Sequence, residues 1–146
     1  MSMNKSMDVI FICSSVIFNI SVSALYIATK LGDMRLVGVS GGIVISLIVP
    51  FAITLLGYMR KKAEKKTILS HVFILFYLFL ELFLDYILRI PFREILAIHV
   101  PYIIVFYAAL FSMIAVSFEK NKKMGSLVIA TFLILIGCLI YYLLPF

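Results

Sequence analysis

Glu81, Asp85 and Arg89 stand four residues apart in a run that is otherwise apolar, Tyr77-Leu-Phe-Leu-Glu81-Leu-Phe-Leu-Asp85-Tyr-Ile-Leu-Arg89-Ile-Pro91-Phe-Arg93. On a helix that spacing lays Tyr77, Glu81, Asp85 and Arg89 along one slowly drifting stripe. Ionisable side chains inside a membrane span are expensive, so their presence marks a site by default. Two carboxylates one turn apart can share a proton, a small cation or a bound amine. In that scheme Glu81 is the deep acceptor, Asp85 its partner and Arg89 a tuning charge or anion contact. Tyr102, from the next span, is a hydrogen-bond donor at the rim. Asn19, Ser23, Tyr26, Arg93 and His99 fall at depths that would place them on the periphery. Arg89 could equally neutralise Asp85 as a plain ion pair.

Signals for chemistry beyond this are poor. No serine or cysteine has an obvious base, there is no His-Glu-xx-His and no glycine-rich phosphate loop, and no second acidic motif completes a paired metal site. His71 and His99 belong to opposite ends of one span and its successor, so they do not share a metal or haem. His71 reads as an interfacial residue after a basic loop, His99 as a helix cap or rim hydrogen bonder. No catalytic or metal-ligating residue is assigned, and the sequence specifies no cofactor.

The elements that would position the stripe follow from composition. The chain of 146 residues is 64% hydrophobic with a mean hydropathy of +1.19, against roughly 45–50% for a soluble domain. Its lipid-facing nature follows, and a bilayer is the first partner implied. A span needs about 20 apolar residues to cross about 30 Å of hydrocarbon. Five such runs fit, at about 9–29, 36–59, 67–90, 99–118 and 125–144. The expected fold class is all-α, a single transmembrane domain of five helices.

The first run carries Ser15, Asn19 and Ser23 as a polar stripe suited to bonding a neighbouring helix. Ser21-Val22-Ser23 has the small-x-small form of a cleavage site, yet the run is read as a retained first helix. The second opens on Gly38-Val-Ser-Gly41-Gly42, whose Gly-xxx-Gly spacing would let another helix approach closely. Pro50 should kink or loosen it near its inner half, with Thr54 available to the freed backbone groups. Residues about 91–98 suit a short segment lying in the interface. Pro101 then falls in the first turn of the fourth span, where Ala108, Ser112 and Ala115 form a small-residue face.

Thirteen basic and seven acidic residues give a net charge of +6, and the basic residues gather in short loops rather than in a nucleic-acid module. Arg60-Lys-Lys-Ala-Glu-Lys-Lys66 holds five positive charges in seven residues, and Glu119-Lys-Asn-Lys-Lys123 repeats the signal two crossings later. Both loops should therefore be cytoplasmic, which puts the amino terminus inside and the carboxyl terminus outside the cell membrane. A lipid-headgroup patch is the functional alternative for the first loop. Cys13 and Cys138 lie near opposite faces, too far apart for a disulfide.

Three functional readings follow. The first is an outward-opening polar pocket around Glu81, Asp85 and Arg89 that binds or transports a small cationic or zwitterionic solute, or protons. The second is an accessory or scaffold subunit of a larger membrane complex, or a homodimer, built through the small-residue faces. The third is an intramembrane enzyme acting on lipid-linked substrates.

Overall fold

The structure, a computed structural model, describes residues 3–62, 64–88 and 95–145. Every regular element among them is helical, and five helices are long and apolar enough to cross a membrane. The first, α1 (Met3–Leu31), stops because Gly32 takes a left-handed conformation at φ 75°. The Gly32 N–H donates to Thr29 O and the Asp33 N–H to Ala28 O at 2.9 Å, the paired bonds that close a helix end on glycine. Asp33 then accepts the Leu36 N–H at 3.1 Å and caps the next helix. The chain thus reverses within two residues.

The second span is two helices, α2 (Met34–Ser46) and α3 (Ile48–Arg60), interrupted at Leu47. Pro50 has no N–H for Ser46 O and its ring crowds that carbonyl, so the break falls three residues before the proline. Leu47 N–H turns instead to Val44 O at 3.2 Å. Thr54 does not serve the freed backbone as expected: its hydroxyl donates to Phe51 O and meets His71.

The third span begins as α4 (Lys65–Glu81) but does not stay α-helical to residue 90. From Leu82 to Ile87 it is π-helical, and Leu88 N–H reaches back five residues to Phe83 O at 2.8 Å. The fourth span, α5 (Leu96–Lys120), starts three residues earlier than its sequence indicates. Pro101 therefore lies inside the second turn, and Leu96–Ile98, assigned above to an interfacial segment, belong to the helix. Ile95, extended, precedes the helix, and 91–94 lie outside the described residues. A single residue, Asn121, joins α5 to α6 (Lys122–Leu143), accepting the N–H groups of Lys123 and Met124 at 3.0 and 3.3 Å.

Consecutive spans pack side by side and α6 returns to α1, which also touches α5. Half of the most apolar stretch of α1 is buried against 17% of that of α6, so α1 is the central helix. Phe11, Phe18, Phe51, Ile74, Leu78 and Met113 fill the space around it with no more than traces of exposure. One end of the bundle carries both lysine-rich turns and the start of α1. There Lys66 pairs with Glu119 at 3.4 Å and Glu64 at 3.8 Å, tying the two turns together. At the opposite end Lys30 donates to the carbonyls of Tyr141 and Leu144, joining the first span to the last.

In the opening of the second span the close-packing glycine is Gly41, not the Gly38–Gly42 pair. A Cβ on Gly41 would stand 2.2 Å from the Tyr86 hydroxyl, whereas nothing lies within 4 Å of one on Gly38 or Gly42. Likewise α5 buries Tyr102, Phe106, Ala109, Met113 and Ser117, while Ala115 of the expected small-residue face is exposed.

Candidate functional site

The buried ridge of α4 is Thr67, His71, Ile74, Tyr77, Leu78 and Glu81, residues at steps of three and four. Glu81 ends it, 6% exposed. Tyr77, one turn earlier on the same face, donates its hydroxyl to Glu81 Oε2 at 3.2 Å. Tyr102, in the second turn of α5, donates to the same oxygen, and its hydroxyl lies 3.0 Å from that of Tyr77. The rings of Tyr77 and Tyr102 meet at 5.6 Å, and Phe18 and Phe106 close on Tyr77 at 5.8 and 5.2 Å. The carboxylate is thereby held by two phenols inside an aromatic wall.

Proton counting sets what this triad can do. Three oxygen–oxygen contacts join three groups, and two phenols own two protons. With Glu81 ionised, both phenols donate to Oε2. With Glu81 protonated, carboxyl, Tyr102 and Tyr77 each donate once around a closed cycle, and all three contacts are filled. The triad accommodates both states without rearranging its heavy atoms.

Asp85 does not continue the buried ridge. Leu84, three residues after Glu81 and within the π-helical turn, takes the buried position, and Asp85 is partly exposed. Tyr86 reaches Gly41 across the gap to α2. Arg89 and Arg93, expected to carry the balancing charges, lie outside the described residues. His99 stacks on Tyr102 at 6.3 Å, at the rim.

Asn19 and Ser23 are engaged in contacts of the helices. Asn19 donates to Thr131 Oγ1 at 2.9 Å and Val128 O at 3.3 Å, bolting α1 to α6, and Ser23 donates back to Asn19 O at 2.7 Å. Of the expected stripe, Asn19 alone bonds a neighbouring helix; Ser15 and Ser23 donate to carbonyls of their own helix, Phe11 O and Asn19 O. Tyr26 packs on Tyr142 at 5.6 Å.

A second polar group, near the basic end, was not legible as such. His71 is fully buried, contrary to its expected interfacial place. Its Nδ1 faces Thr67 O at 2.8 Å, so that nitrogen carries a proton, and Nε2 meets Thr54 Oγ1 at 3.0 Å. Phe11 and Tyr58 enclose the ring at 4.9 and 5.3 Å. Tyr58 in turn donates to Asp8 at 2.5 Å, and Lys120 Nζ lies 4.9 Å over the Tyr58 ring. The position was signalled by spacing alone, since His71 falls in step with Thr67, Ile74 and Leu78.

Among the described residues no three His, Cys, Asp or Glu side chains converge as a metal centre requires. Both cysteines are free. No family model, curated protein or solved structure matches the chain.

Proposed function

We propose that this protein resides in the cell membrane with its lysine-rich turns cytoplasmic, its amino terminus inside and its carboxyl terminus outside. In it Glu81 binds and exchanges a proton or a small cation in the course of transport. The observation that carries this reading is the Tyr77–Glu81–Tyr102 triad, in which one buried carboxylate has partners for both its ionised and its protonated form. The π-helical turn beside it supports the same reading, because such turns cost regular hydrogen bonding and cluster at functional sites. Asp85, partly exposed on that turn, is the next group toward the outer face.

Reconstitution into vesicles with an entrapped pH indicator tests it. Glu81→Gln retains an acceptor for the phenols, so the bundle should remain folded while proton or cation flux falls to the level of empty vesicles. Undiminished flux with Glu81→Gln removes the assignment.

The subunit reading has one observation of its own. The Gly38–Gly42 face of α2 has open space where a partner helix could approach. Replacing both glycines by Leu should break a heteromer or homodimer into single chains on a sizing column. An unchanged species rules that face out as the contact.

A further inference from the structure

The buried face of α4 carries a second group arranged to take up a proton. His71 Nδ1 donates to Thr67 O at 2.8 Å, Nε2 lies 3.0 Å from Thr54 Oγ1, and Thr54 Oγ1 lies 2.9 Å from Phe51 O. Each of these contacts needs one proton. Thr54 owns one and a neutral imidazole another, which leaves one contact unfilled; an imidazolium supplies the third. As with the Glu81 triad, the heavy atoms serve both states without moving.

Tyr58, whose ring packs on His71 at 5.3 Å, also walls a cleft of about 290 Å³ at the lysine-rich end, lined by three carboxylates and three lysines. Such a balanced lining draws water without selecting an ion of either sign. Two of those charges face the histidine across the Tyr58 ring: Asp8, which accepts the Tyr58 hydroxyl, and Lys120, 4.9 Å over the ring. Two more fully buried hydroxyls belong to the same end, Thr67 one turn before His71 and Ser117 within one turn of the end of α5. Neither makes a hydrogen bond among the described residues, so each has a donor and acceptor to offer a passing proton.

Neither cluster suits a larger cation. A hard metal ion takes about six oxygen ligands, whereas at Glu81 two phenols and one carboxyl group meet against Phe18 and Phe106, and at His71 the ring is enclosed by Phe11 and Tyr58. Ile74, with no exposure, separates His71 from Tyr77 on the ridge, so the two sites are distinct. We propose that the ion exchanged at Glu81 is a proton and that His71 is a second binding site for it, serving the lysine-rich end as Glu81 serves the opposite one. This rests on the reading of Glu81 as an exchange site.

Two measurements on the full chain in vesicles test it. Proton uptake, read by an entrapped pH indicator, should be the same whether sodium, potassium or choline is the salt, and His71→Gln should reduce it to the level of empty vesicles. Uptake that requires one of those cations overturns the proposal while keeping Glu81 as an exchange site, and undiminished uptake with His71→Gln overturns the role of His71. No uptake in any salt removes the Glu81 reading itself. Nitrogen NMR of protein labelled at histidine reads the second site without reference to flux or to the folding of His71→Gln. The chain has two histidines, so His99→Gln leaves the His71 signals alone in the spectrum. On acidification Nε2 should change from hydrogen-bond acceptor to donor while Nδ1 keeps its proton. An Nε2 that stays an acceptor at every pH at which the bundle is folded overturns the proposal.

Discussion

Tyr102 and Glu81, 21 residues apart, meet through a single carboxylate oxygen that Tyr77 also reaches. That bond fastens the second turn of α5 to the last turn of α4. Tyr102→Phe keeps the ring and removes the donor, leaving a buried acceptor short of one partner. It should lower stability by about 1–3 kcal/mol, read as the unfolding midpoint in a denaturing detergent titration. Tyr77→Phe acts on the same oxygen, so the double variant should depart from the sum of the singles. Strict additivity would show that the two phenols serve Glu81 separately.

Two glycines of α6 predict opposite outcomes for the same substitution. A Cβ on Gly125 would lie 2.7 Å from Phe118 Cα, a backbone atom that cannot swing aside, whereas nothing stands within 4 Å of one on Gly137. Gly125→Ala should destabilise by about 1–3 kcal/mol. Gly137→Ala should be neutral or stabilise by up to about 1 kcal/mol, since glycine is a poor helix interior residue. Thermal unfolding in detergent separates them, and a loss at Gly137 comparable to that at Gly125 would contradict the packing.

The Gly41–Tyr86 contact yields a rescue experiment. Gly41→Ala collides with the Tyr86 hydroxyl, the end of a side chain that can move, so its cost should be smaller than that of Gly125→Ala. Adding Tyr86→Phe removes the colliding oxygen and leaves the ring carbon at an ordinary 3.5 Å. The double variant should recover the unsubstituted midpoint. Failure to recover would locate the damage elsewhere on α2.

His71 is predicted to be a packing residue as much as a polar one. His71→Ala removes a ring enclosed by Phe11 and Tyr58 and deprives Thr54 of its partner, at a cost of about 2–4 kcal/mol. An interfacial histidine would cost well under 1 kcal/mol. The same denaturation assay distinguishes the two.

Lys66, by contrast, should matter little to stability. Its pairs with Glu119 and Glu64 are solvent-exposed on the lysine side, and exposed pairs contribute about 0–1 kcal/mol and weaken with salt. Lys66→Ala should shift the midpoint by less than about 1 kcal/mol, and by still less at 1 M salt.

What could be read from the residues alone followed from length and apolarity. The five runs appear as helices long and apolar enough to cross a membrane, because each is long and carries few charges, and of the Ser15–Asn19–Ser23 stripe Asn19 makes the expected bond to a neighbouring helix, α6. Helix ends and register were not readable in the same way. Pro50 loosens its helix, but the break falls upstream at Leu47, a place the sequence does not mark, and nothing in Leu82–Ile87, which holds no glycine or proline, announces a π turn. Gly38 and Gly42 matched a packing motif that the fold does not use inside the chain, while Gly41, between them, meets Tyr86 for a reason fixed only by tertiary placement. The five positive charges just before His71 point to the interface, whereas its step with Ile74 and Leu78 points to the buried face that it occupies.

The π turn also fixes what a positional scan of the third span will look like. Up to Glu81, probes introduced one residue at a time should alternate between lipid and interior with a period near 3.6. Beyond it that rhythm should break: Leu84 is buried and Asp85 partly exposed, so a label at Asp85 should be more accessible than one at Glu81 although four residues separate them, as four separate Tyr77 from Glu81. That slip in rhythm, visible to any accessibility reagent, is the signature this backbone would leave in a measurement that never sees coordinates.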